Sequence, residues 1–160
     1  MKYKIGFMIF ALFLICFENS QAMDKVGELP ERIIYKLFKV HRPQINKPIS
    51  FDDKDTLLQF FTPTLTSLLL RDIECRKRTH EICNLDFDPI FGAQDFENSP
   101  LNLMVKRIGT NGHRYKVTFT NITRRTLIYE LKRTNNGWRI RDIIYPDGKS
   151  LRTILSRHLN

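Results

Sequence analysis

The chain has 160 residues, 26 Lys+Arg against 17 Asp+Glu, 42% apolar residues and only 7 Gly and 7 Pro. That is enough for one globular domain, and it excludes disordered, collagenous and mucin-like chains as well as the longer two-domain dinucleotide enzymes. A formal charge of +9 is a strong bias in so small a protein and makes anionic partners the first question.

Residues 1–22 read MKYKIGFMIFALFLICFENSQA. Lys2 and Lys4 precede an apolar run from Ile5 to Phe17, then come Glu18 and Asn19, and small residues at Ser20 and Ala22. These are the three parts of a secretory signal peptide. The apolar run has 13 residues, short of the roughly 20 a membrane span needs. Cleavage after Ala22 is expected, leaving a single domain over residues 23–160, periplasmic or secreted, with no membrane span. The rivals are an uncleaved anchor and lipidation at Cys16, for which the bulky Ile15 is unsuited.

The remaining chain changes character near residue 100. Residues 23–100 carry 11 basic and 13 acidic side chains, whereas residues 101–160 carry 13 and 3. Pro30 suits a first helical turn, with Ile33, Ile34, Leu37 and Phe38 as the apolar stripe. Pro43 and Pro48 mark a linker. Asp52 is placed to cap a short second helix whose apolar face is Leu57, Leu58, Phe60 and Phe61. Thr62-Pro63 is an N-cap followed by a first-turn proline, and Leu65, Leu68, Leu69 and Ile73 recur on one face of a third helix. Arg71/Glu74, Asp72/Arg76 and Glu74/Arg78 supply ion pairs on its other face.

Seven residues, His80 among them, lie between Cys75 and Cys83. In an oxidising compartment a disulfide is the expectation. A Cys/His/Cys metal site has no evident fourth ligand, so no metal is expected. From Leu85 to Phe96, Asp86, Asp88 and Asp95 are interleaved with Phe87, Phe91 and Phe96. A structured connector opened by an Asp88-Pro89 turn is the first reading. A carboxylate site for a hard cation or for acid–base chemistry is the second, though the spacing does not match a calcium loop.

After residue 100 the period becomes two. Leu101, Leu103 and Val105, then Tyr115, Val117 and Phe119, then Leu127, Tyr129 and Leu131, then Trp138, Ile140 and Ile144 point one way. Turn signals lie at Gly109 to Gly112 and at Asn135-Asn136-Gly137. Pro146-Asp147-Gly148 ends the sheet, and Leu151, Ile154, Leu155 and Leu159 describe a closing helix. The expectation is an α+β fold: N-terminal helices packed on a curved antiparallel sheet of about four strands, closed by a C-terminal helix.

The alternation sends Lys106, Arg114, Lys116, Lys132, Arg139 and Arg141 to the outer face, with Glu130 as the opposing acid. Such a face either keeps the protein solvated or holds an anion. An exported protein meets little nucleic acid, so an acidic protein or an anionic envelope component is the expected partner. Asp142 shares parity with Ile140 and Ile144, which places a carboxylate on the apolar side. Such a carboxylate is either paired, with an arginine or with backbone N–H groups as the strand leaves the core, or left with a raised pKa as in many catalytic sites.

Other catalytic signatures fail on their spacing. Gly148-Lys149-Ser150 lacks the leading glycine of a phosphate loop, since Ile143 stands there, and His80-Glu81 is followed by Asn84 where a zinc protease needs histidine. No serine sits in a glycine-flanked elbow. His41, His80, His113 and His158 are scattered and expected at the surface or as caps. No cofactor is expected.

Phe87-Asp88-Pro89-Ile90, Ala93-Gln94-Asp95, the stretch Gly137-Trp138-Arg139-Ile140-Arg141-Asp142-Ile143 and Gly148-x-Ser150-Leu151 together resemble the family called domain of unknown function 3828. That family comprises periplasmic and secreted bacterial proteins, and the resemblance spans roughly residues 30–158. It implies a fold similar to the cone-shaped nuclear transport factor 2-like (cystatin-like) superfamily, in which helices close over a curved sheet around a pocket. It makes Asp88, Gln94, Asp95, Trp138 and Asp142 the motif positions and brings no established activity.

Two functions are then expected. One is an exported, non-enzymatic binding protein, for instance an immunity-type inhibitor of an envelope-targeted toxin. The other is a small pocket enzyme or ligand carrier in which Asp142 acts as base, assisted by Asp95 or Tyr129.

Overall fold

A computed structural model describes residues 29–42, 49–95, 101–110 and 112–157. The signal segment with its Ala22 boundary, the Pro43 to Pro48 linker, His158 and Leu159 lie outside the described residues. Among these residues the architecture is α+β: three helices, a four-stranded antiparallel sheet and a short closing helix, in that chain order.

Helix α1, Arg32–Val40, buries Ile33, Ile34, Leu37 and Phe38, the stripe that the helical period requires. Helix α2, Lys54–Phe60, is capped by Asp53 rather than Asp52. The Asp53 carboxylate accepts from Asp55 N at 3.1 Å and from Thr56 Oγ1 at 2.5 Å. Asp52 instead receives the Ser50 hydroxyl and Lys77 Nζ, and these two partners hold its carboxyl below the usual range. Helix α3, Pro63–Thr79, starts as the sequence requires, with Thr62 Oγ1 accepting from Leu65 N and proline in the first turn. It stops at His80, whose φ of 59° lies in the left-handed region. A disulfide joins Cys75 to Cys83 and ties the end of α3 to the loop that follows.

The sheet runs β1 Met104–Ile108, β2 Arg114–Asn121, β3 Thr123–Thr134 and β4 Gly137–Ile144, each antiparallel to the next in sequence order. Its inner face carries Tyr115, Val117, Phe119, Leu127, Tyr129, Leu131, Ile140 and Ile143, all buried. Phe38 from α1 meets Phe91 and Phe119 at 5.3 Å each and Tyr129 at 6.1 Å. These rings fill the space between α1 and the sheet.

One residue corrects the simple alternation in β4. Glu130 pairs with Asp142 but Leu131 pairs with Ile140, so a β-bulge at Arg141 interrupts the ladder. A bulge shifts the side-chain parity of everything beyond it. Ile143 therefore points inward opposite Tyr129, while Ile144 pairs with Ile128 on the other face. Asp142 likewise leaves the inner row on which a strict period of two would place it.

The outer edge of β4 is covered. Phe61 bridges Ile140, and Thr62 N donates to Ile140 O at 2.9 Å. Helix α4, Leu151–Leu155, is capped by Ser150 and held to α3 by Arg71 Nη2 donating to Leu155 O at 2.6 Å. Among the described residues no helix is long and apolar enough to cross a membrane.

Candidate functional site

The acidic–aromatic segment is fastened from every side. Asp88 Oδ1 accepts the backbone N–H groups of Ile90 at 2.8 Å and Phe91 at 3.1 Å. Asp88 Oδ2 meets His41 Nε2 at 2.5 Å, and that ring is 1% exposed and stacked on Phe91. His41 is the C-cap of α1, its N–H donating to Leu37 O, and its ring is a buried clamp rather than a surface group. The clamp has no local sequence signal, because 47 residues separate His41 from Asp88.

Tyr129 Oη donates to Ile90 O at 2.7 Å, Tyr145 Oη to Pro89 O at 2.9 Å, and Arg125 Nη1 to Gly92 O at 3.1 Å. Burial raises the pKa of both phenols well above 10, with the Asp88 charge adding to the effect. Both hydroxyls stay protonated and serve as donors. Gly92 has φ +61°, and a Cβ there would stand 3.0 Å from the Tyr145 ring. Position 92 thus needs glycine for conformation and for space.

Three clefts surround this segment, and Asp86 and Phe87 line all of them. The largest, about 450 Å³, lies between α3 and the loop. Asp72 and Arg76 form its α3 side, and Asp86, Asp88 and Gln94 its loop side. Asp72 is not on the solvent side of α3: it is 1% exposed, its Oδ1 accepts Asn84 N at 2.7 Å, and Arg76 Nε stands 3.4 Å from its Oδ2. Asp95 is exposed and lines a neighbouring cleft.

The other motif residues stand apart. Trp138 packs between His113, with ring centres 4.2 Å apart, and the Arg133 guanidinium at 5.6 Å. Asp142 is 8% exposed, and its Oδ1 accepts Ile143 N at 2.9 Å and Arg152 N at 3.0 Å. That carboxylate fastens the start of α4 to β4 and lines none of the three clefts. Tyr129, its expected assistant, is sealed in the core. Among the described residues no three His, Cys, Asp or Glu side chains converge as metal ligands do.

The outer sheet face is the second candidate. Lys106 and Lys116 are directly opposite each other across β1 and β2. Lys132 pairs with Arg139, and Arg114 with Glu130. Lys106, Lys116, Lys132 and Arg141 are exposed. Arg114 forms an ion pair with Glu130 at 3.2 Å. Arg139 departs from the expected open position: its Nε donates to Leu58 O at 2.7 Å, fastening α2 to the sheet edge. Arg124, opposite Thr120 on the same face, extends the patch. Sequence reasoning missed it because β3 begins at Thr123, before the apolar alternation does.

No family model matches the chain, and no curated protein does. Among solved structures it is similar to a protein of unknown function from Bacteroides thetaiotaomicron, at 19% identity and a TM-score of 0.45. That likeness covers 80% of this chain and 98% of the other.

Proposed function

We propose that the protein is an exported, non-enzymatic binding protein that docks an acidic protein on the outer face of its sheet. The observation that carries this reading is the direct cross-strand opposition of Lys106 and Lys116. Like charges in that position destabilise a sheet, and the face adds Lys132, Arg141 and Arg124 without an equal number of exposed carboxylates. Surface stability alone favours mixed signs here. An anionic partner turns the cost into attraction and charge-assisted hydrogen bonds. Export is supported by the signal-like first segment and by the Cys75–Cys83 disulfide, which persists in oxidising compartments. An inhibitor that neutralises an acidic toxin surface is the form of this function that the charge pattern suits.

Titration with poly-L-glutamate over a salt series tests it. Affinity is expected to fall steeply as salt rises and to be lost in the Lys106→Glu/Lys116→Glu double variant. A control double variant on the helices, Lys39→Glu/Lys54→Glu, changes the net charge equally and should keep most of the affinity. Equal loss in both pairs contradicts a defined face. Tighter binding to an anionic polysaccharide than to poly-L-glutamate would replace the acidic protein by an envelope polymer.

A further inference from the structure

We propose that the cleft between α3 and the Leu85 to Gln94 loop is a second binding site, and that its ligand is an organic cation with an apolar body. This site is independent of the basic sheet face and opposite to it in sign. Its volume of about 450 Å³ is within the range of small-molecule pockets. Phe51, Leu69, Ile73, Leu85, Phe87 and Pro89 give it apolar walls, and Ile82, 69% exposed, stands at the rim.

Charge selects the ligand class. Asp72, Asp86 and Asp88 face this space with Arg76 as the one lining cation, in a chain whose formal charge is +9. The molecular field as a whole repels cations, so the preference is local to the cleft. The carboxylates differ in what they can still do. Asp88 has both oxygens engaged, by two backbone N–H groups and by His41, and contributes field only. Asp86 is exposed and holds Gln94 Nε2 at 3.2 Å through one oxygen, which leaves the other for a ligand.

Asp72 lies behind the cleft wall as half of an ion pair with Arg76 and adds negative charge there. An ammonium group enters against the open oxygen of Asp86, while its hydrocarbon part covers Phe87 and Ile82. The Phe51 and Phe87 rings add cation–π attraction for the same class of ligand.

The probe is 2-phenylethylammonium, titrated into the disulfide-bonded chain and followed by amide NMR, with 2-phenylethanol and 3-phenylpropionate as neutral and anionic counterparts. Saturable shifts are expected at Ile82, Phe87 and Gln94 with the ammonium. The alcohol should bind about tenfold more weakly, the loss of a single charge-assisted contact, and the carboxylate should not bind. Asp86→Asn should weaken the ammonium about tenfold, whereas Asp55→Asn, an exposed carboxylate on α2, should change nothing. Asp72→Asn keeps an acceptor for Asn84 N–H and should also weaken binding; if that variant fails to fold, the surface substitution Asp86→Asn still decides. Equal binding of alcohol and ammonium, shifts spread over the whole surface, or no saturation by any probe would overturn the site.

Discussion

The Leu85 to Gln94 loop and the outer sheet face are both dense in charge, but they use it in opposite ways. In the loop, Asp88 is satisfied by His41 and two backbone N–H groups, and Tyr129, Tyr145 and Arg125 hold the backbone carbonyls. On the sheet, Lys106 and Lys116 face each other in solvent. Burial makes a charged group a fastener, because leaving it unpaired costs more than any single contact gains. Exposure leaves the charge free for an outside partner. Arg139 and Arg141 show the boundary within one strand: the first holds Leu58 O, and the second, at the bulge, is exposed.

Removing the central fastener should have the largest effect. Asp88→Ala deprives His41 and two backbone donors of their acceptor and should cost about 3 kcal/mol, measured by denaturant unfolding at neutral pH. If it costs no more than an exposed aspartate such as Asp55, the loop is not held as described. Next is the disulfide. Replacing Cys75 and Cys83 by alanine should cost about 2–3 kcal/mol by the loop-entropy argument and raise proteolytic cleavage near Ile82, which lies within the closed loop.

Smaller still is the contribution of the buried phenols. Tyr129 and Tyr145 have their pKa raised by burial above the ordinary 10.0. The unfolded chain therefore begins to release phenol protons near pH 10 while the folded chain keeps them, so stability is level below that pH and falls as pH rises beyond it. Tyr129→Phe should cost about 1–2 kcal/mol at neutral pH and flatten the alkaline decline, with tyrosinate absorbance appearing only as the protein unfolds. Tyrosinate absorbance that rises in the folded protein near pH 10 would show the phenols to be accessible.

Helix stripes, the Thr62-Pro63 start, the four strands and the Cys75–Cys83 pair were legible because each depends on residues close in the chain. The bulge at Arg141 was not. Its signal is one extra residue in a strand, visible only against the partner's register, and it moved Asp142 and Ile144 off the inner face. His41 and Asp72 were hidden for the same reason: each meets a backbone or side chain far along the chain. Asp86, Asp88 and Asp95 could be singled out by composition, yet which cleft each lines depends on the fold of α3 against the loop. Of the basic residues, only those whose neighbours are also on the sheet stayed where alternation put them.

The most direct test of the account is one substitution with two readouts. Lys106→Glu replaces a like-charge pair across β1 and β2 by an opposite-charge pair. The account predicts that stability rises by about 0.5 kcal/mol while affinity for poly-L-glutamate falls. Unchanged affinity in that more stable variant would contradict a binding role for the outer face.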